Sequence, residues 1–200
     1  MATIAEDSIA PRRRTVEWSD PGLARNARHG LTGLQVQQGI RDGTIPATPM
    51  ARMLGILCLQ AEAGSIVLEM SPDESQEDGT GFLHGGAAAT LLESAMGAAA
   101  STLLVDGRSS TTLDLSITYL QPLSVRSGPL RAIAVVVSSS ARTVYVRGEV
   151  RDRGGHLAIH AVGNFSVLSA HRFQSELVPD DRRRSGLGAT VWRWLDSLSG

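Results

Sequence analysis

The sequence predicts an α+β fold in which one antiparallel sheet wraps a single long helix, and three observations predict it. Residues 87–104 contain no proline and are rich in Ala, Leu and Met; strand-length apolar runs broken by glycine turns stand on both sides of them; and residues 111–120 alternate apolar with polar. A helix that is apolar nearly all round must be buried, and a sheet can bury it. Composition agrees: 200 residues, 42% hydrophobic and 20% charged, describe one ordinary globular domain with tails.

The elements follow in chain order. Residues 1–48 are mixed in charge and carry Pro11, Pro21 and Pro46, with a weak helical pattern around Leu31, Leu34 and Ile40. They predict an N-terminal extension, partly disordered and partly helical. From Met53 the texture changes. Leu54, Ile56, Leu57 and Leu59 lead through Ala63-Gly64-Ser65 to Ile66, Val67, Leu68 and Met70, two strands joined by a glycine turn. Residues 71–81 are polar and form a surface loop. The long helix comes next, then a turn at Asp106-Gly107, then a strand with Leu113, Leu115, Ile117 and Tyr119 on one face and Thr112, Asp114, Ser116 and Thr118 on the other. Three further strands, 130–137, 143–151 and 157–168, complete a meander, the last two joined across Asp152-Arg153-Gly154-Gly155. Residues 49–169 thus form the folded domain, and 170–200 a C-terminal tail whose Leu187, Val191, Trp192 and Leu195 suggest a short helix.

Charge and cysteine usage argue against several functions. Nineteen basic against 20 acidic side chains create no field that would gather nucleic acid or anionic lipid. No apolar run reaches the roughly 18–20 residues of a membrane span, since the best one contains Glu93. Cys58 stands alone, so the fold rests on its core, and a reducing cytoplasm is expected. Arg12-Arg13-Arg14 is followed by Val16-Glu17-Trp18 and matches neither a secretory nor a twin-arginine signal. His156, His160 and His171 share no metal-like spacing, and Gly-x-Ser-x-Gly is absent. No metal or cofactor is expected.

Two features carry chemistry. Glu93 stands mid-helix between Leu91, Leu92, Ala95 and Met96, where desolvation disfavours its charged form, the tuning that a general base or carboxylate nucleophile needs. A carboxylate that pairs across a subunit interface or faces solvent is the alternative. At the helix start, His84-Gly85-Gly86 offers backbone N–H groups, reinforced by the helix dipole, to an oxygen gaining negative charge. Gly85 and Glu93 are eight residues apart, roughly 12 Å along the axis. One carbonyl cannot be served by both groups of one helix, so the spacing suggests a dimer with shared sites.

The stretch Gly79-Thr80-Gly81-Phe82-Leu83-His84-Gly85-Gly86, with Glu93 nine residues after the histidine and then Thr111-Thr112-Leu113-Asp114-Leu115-Ser116-Ile117-Thr118-Tyr119-Leu120-Gln121-Pro122-Leu123, resembles the hotdog-fold acyl-CoA thioesterases of the phenylacetate-degradation (PaaI-like) group. The resemblance covers about 49–169. It implies a sheet around a central helix, subunits paired through their sheets, and hydrolysis of acyl-CoA thioesters, aryl or short to medium chain, at the dimer interface. It implies Glu93 as base or nucleophile, Gly85 as the amide that polarises the thioester carbonyl, His84 as the residue that shapes the turn, and Thr112 as an assisting hydroxyl. Gly86 and Tyr119 would line the substrate site, and Ser140 and Arg142, in the turn Ser138-Ser139-Ser140-Ala141-Arg142, would hold the CoA phosphates. Two positions depart from the pattern. Asp78 stands where many relatives carry an amide that orients the carbonyl, a role Gln76 takes over only after a loop shift, and Gly97 stands where some carry Ser or Thr. The expected protein is a cytoplasmic homodimer, paired again into a dimer of dimers. The rival readings are an acyl-CoA-binding protein without turnover, a hydratase, which would want an Asp-His pair on the helix, and a structural oligomer.

Overall fold

A computed structural model of the chain describes residues 11–105 and 108–169. The Asp106-Gly107 turn, the start 1–10 and the tail 170–200 with its predicted helix fall outside the described residues.

Three short helices precede the sheet: α1 (Pro21–Asn26), α2 (Gly33–Arg41) and α3 (Pro49–Leu54). Each begins where a side chain can satisfy an orphan backbone N–H: Asp20, Thr32 and Thr48 are the N-caps, and Thr32 with Gln35 forms a capping box. Only α2 was foreshadowed by periodicity. It packs on β1 and on the end of the long helix, where Gly33 lies so close to the Ser101 carbonyl that no β-carbon would fit.

The strands β1 (Ile56–Glu62) and β2 (Ser65–Met70) form a hairpin, closed by Gly64 at φ 76°, a conformation that favours glycine. The long helix α4 (Gly85–Ser101) follows, then β3 (Arg108–Tyr119), β4 (Leu130–Ser139), β5 (Thr143–Arg151) and β6 (Leu157–Ser169). All pairings are antiparallel, in the order β1-β2-β4-β5-β6-β3.

The structure corrects two expectations. The sheet is not a simple meander, because α4 crosses its face and delivers the chain to the far edge, where β3 pairs with β6, while β4 returns beside β2. Nor is α4 buried all round. Ala88, Leu91, Leu92, Ala95, Met96, Ala99 and Ala100 are buried, whereas Ala89, Thr90, Glu93, Ser94, Gly97 and Ala98 are only half-buried. The buried stripe packs on Ile66, Met70, Leu130, Val146, Val150, Ile159 and Phe165, which form one core with it. At 1.5–3 kcal/mol for each large side chain, about the usual return on full burial, this stripe fixes the rotation of α4 and therefore where Glu93 points.

A third difference concerns β3. Regular alternation would set Thr112 on the face opposite Leu115 and Ile117. The pairing register instead shifts between Thr112, opposite Phe165, and Asp114, opposite Asn164. Leu113 is the extra residue of a β-bulge, 59% exposed, and the bulge reverses the facing of every residue before it. Thr112 therefore faces α4 together with Leu115 and Ile117.

Candidate active site

The site begins at the N-terminus of α4. His84 is the N-cap: its Nδ1 accepts from the Gly86 N–H at 2.9 Å and its carbonyl accepts from the Ala87 N–H at 2.9 Å. An accepting Nδ1 places any single ring proton on Nε2. The backbone of His84 is itself anchored, its N–H donating to the Gln76 carbonyl at 2.8 Å, as the Leu83 N–H does to the Leu123 carbonyl at 2.8 Å. Gly85 is the first residue of the helix, and among the described residues its N–H meets no acceptor. Its carbonyl is held from the other side, where the Tyr119 hydroxyl donates to it at 2.9 Å. With Gly86 and Ala87 committed to His84, Gly85 presents the free donor of the first turn.

Two turns along the helix, Glu93 is half-buried on the less covered stripe, with Thr90 and Gly97 beside it. The Thr112 hydroxyl donates to its Oε1 at 2.7 Å, and its second oxygen has no partner among the described residues. The expectation of an isolated buried carboxylate is thus corrected: the bulge supplies a hydroxyl, and the helix rotation leaves one side open. Gly97 adds space next to the acid, since a β-carbon there would meet only Phe165 at 3.4 Å.

Two hollows flank the helix start. One, about 240 Å³, is lined by Phe82, Leu83, Gly85, Ala88, Tyr119, Leu120, Pro122 and Ile159 and is mainly apolar. The other, about 360 Å³, lies between α3 and α4 and includes Met50, Leu54, Gln76, Glu77, His84, Gly86 and Thr90. Sequence reasoning did not single out Phe82, Leu120, Pro122 or Ile159. Their signal was faint, a Leu-Gln-Pro-Leu turn after a strand and an apolar residue before the histidine.

Other predicted residues lie elsewhere. Asp78 is exposed and turned into its own loop, its carboxylate accepting from the Thr80 hydroxyl at 2.6 Å and the Thr80 N–H at 2.8 Å. These bonds hold its carboxyl below the usual carboxylate range, so it remains an acceptor and cannot replace an amide donor. Gln76 is buried behind His84, with its amide oxygen taken by the Asp73 N–H at 3.2 Å. Ser140 and Arg142 form the tight turn between β4 and β5, where the Ser140 hydroxyl accepts from the N–H of Arg142 and of Thr143. That turn is level with Thr111 in the sheet but separated from β3 by β5 and β6, so the chain does not bring it to its own Gly85. The phosphate role expected of it is a matter for the assembled molecule. Among the described residues no cluster of three or more His, Cys, Asp or Glu side chains could hold a metal, and no helix is long and apolar enough to cross a membrane.

Comparison with known proteins adds four likenesses. Residues 80–159 match the family model described as the thioesterase superfamily. A thioesterase from Haemophilus influenzae, solved by crystallography, is 25% identical with a TM-score of 0.56, over 60% of this chain and 82% of that one. The PaaI protein of the phenylacetic acid degradation operon of Escherichia coli shares the fold at 18% identity and a TM-score of 0.60, over 68% of this chain and 94% of that one. A curated protein of Saccharolobus solfataricus, named as an esterase, is 27% identical over 122 residues, 61% of this chain and 85% of that protein.

Proposed function

From the premise that the chain is a PaaI-like hotdog protein of the thioesterase superfamily, and a thioester hydrolase, we propose that it cleaves acyl-CoA thioesters with Glu93 and Gly85 as its reacting groups. The observation that carries this reading is the paired geometry of α4: a carboxylate with one oxygen fixed by Thr112 at 2.7 Å and the other open, on the helix whose first N–H is free. The Gly85 N–H and the helix dipole stabilise the oxygen that gains charge as the carbonyl carbon becomes tetrahedral. The open oxygen of Glu93 takes a proton from water as the water oxygen bonds to that carbon. The C–S bond then breaks, the sulfur leaves as thiolate and takes the proton held by Glu93, which returns the carboxylate to its starting form as free acid and CoA are released. Direct attack by Glu93, through an anhydride that water then opens, uses the same two groups.

The roughly 12 Å between Gly85 and Glu93 on one helix supports a homodimer in which each site takes its amide from one subunit and its carboxylate from the other. The edge position of β3, twelve residues long with its outer side unpaired among the described residues, suits pairing through the sheets. The 240 Å³ apolar hollow admits aryl or short to medium acyl groups. A second reading, acyl-CoA binding without turnover, is favoured by one observation, the engagement of Asp78 with Thr80 away from the site.

Release of free thiol from a panel of aryl and C4 to C12 acyl-CoAs separates the two. Wild type should turn over at least one ester, and Glu93→Gln should lose about a hundredfold or more, the usual contribution of a general base. Saturable binding of the esters with no thiol release by either protein would establish the second reading instead.

A further inference from the structure

Resting on the reading above, we propose that Tyr119 is a positioning residue of the reaction, one that fixes the Gly85–Gly86 peptide unit and the Gly85 α-carbon and so limits the rotation of the adjoining His84–Gly85 unit, which carries the free N–H and is itself held by the bond from the Ala87 N–H to the His84 carbonyl. Three observations converge on this residue. Its hydroxyl donates to the Gly85 carbonyl at 2.9 Å, and its ring lies against the Gly85 α-carbon so closely that a β-carbon there would touch three ring and hydroxyl atoms at 3.4 Å. It is the last residue of β3, and the next residue is tied down as well, the Leu120 N–H donating to the Ala158 carbonyl at 2.8 Å. The grip on Gly85 therefore comes from a strand end fixed to the sheet.

The need for such a grip follows from the sequence. A helix that starts Gly-Gly begins with two residues of the most freely rotating type, at an end where the backbone N–H groups lack helical partners. His84 secures the second of them through Nδ1 to the Gly86 N–H at 2.9 Å. That N–H and the Gly85 carbonyl belong to one planar peptide unit, so His84 holds one end of it and the Tyr119 hydroxyl the other. Tyr119 supplies the opposing hold, so that the two glycines are clamped from the loop side by a histidine and from the sheet side by a tyrosine, and the donor left over is the Gly85 N–H. An oxyanion donor is effective to the extent that it needs no reorganisation when charge develops. A clamp of this kind acts on kcat, whereas a substrate contact acts on KM.

The test is steady-state thiol release by Tyr119→Phe and Tyr119→Ala with the best ester of the panel, alongside thermal unfolding. Tyr119→Phe keeps the ring and removes the hydroxyl. It should lower kcat by roughly tenfold, the scale on which one hydrogen bond acts, with KM within about twofold of wild type and an unchanged melting temperature. Tyr119→Ala should lower kcat further. A raised KM with kcat intact would make Tyr119 a substrate contact and overturn the proposal, as would wild-type kinetics in Tyr119→Phe. Failure of the wild type to cleave any ester would instead sink the thioesterase mechanism on which the proposal rests.

Discussion

Gly85 joins a backbone donor to a helix start, and one substitution separates the two. Proline is favoured at the first position of a helix because the N–H it lacks is an orphan there, and its ring presets the helical φ. The preceding residue must then be extended, as His84 already is at φ −57° and ψ 127°. Gly85→Pro should therefore leave α4 folded while it removes the donor and sets ring carbons against Tyr119, where a β-carbon already comes to 3.4 Å, lowering kcat by at least about 10²–10³, the loss seen when an oxyanion donor is removed. Circular dichroism should match wild type, and an active Gly85→Pro would take the amide out of the mechanism. At this scale the sequence was informative wherever a residue type was out of place. A carboxylate inside an apolar helix and a Gly-Gly at its start are both costly, and both draw the eye to the site. Asp78 was not legible, because its bond to the Thr80 hydroxyl is a local choice between two directions that one residue type cannot announce. The hold of Tyr119 on Gly85 spans 34 positions and left no trace in the pattern.

Elements were predicted by periodicity, and they were misread where periodicity is broken on purpose. The alternation over 111–120 sorts Thr112 with the solvent-facing residues, while the family pattern assigns it to the site; the bulge at Leu113 reconciles them by inserting one residue into the count. The crossover of β3 to the far edge was illegible for a different reason, since order along the chain does not reveal which strand a helix skips. What seats α4 on the sheet is legible only from the packing. Gly148 on β5 lies beneath the helix, where a β-carbon would come within 2.8 Å of both Leu92 and Met96. Gly148→Val should therefore lift or rotate α4. The expected cost is at least the 1–3 kcal/mol typical of overpacking, read as a lower denaturant midpoint, together with reduced turnover because Glu93 travels with the helix. A variant with the wild-type midpoint would show that the helix yields freely at this point and that Gly148 does not set its height.

For the whole molecule, the decisive property is that one chain holds both proposed reacting groups but holds them about 12 Å apart on a rigid helix. If a two-fold assembly brings the amide of one copy to the carboxylate of the other, each dimer has two sites, and every site draws on both subunits. Damage in different chains then sorts into different sites. In a heterodimer of Glu93→Gln and Gly85→Pro, one site receives both lesions and the other receives neither. Random reassembly of an equal mixture makes half the dimers mixed, each with one intact site of two, so activity should return to about a quarter of wild type. Each variant alone should remain near background. If instead each chain completes its own site, every site in the mixture carries one lesion, and co-refolding restores nothing. The experiment consists of unfolding the two inactive variants together, refolding them, and measuring thiol release against separately refolded controls. Recovery would also account for three groups that lack partners among the described residues, the Gly85 donor, one Glu93 oxygen and the edge of β3. These would be the two halves of one site and the seam that joins them.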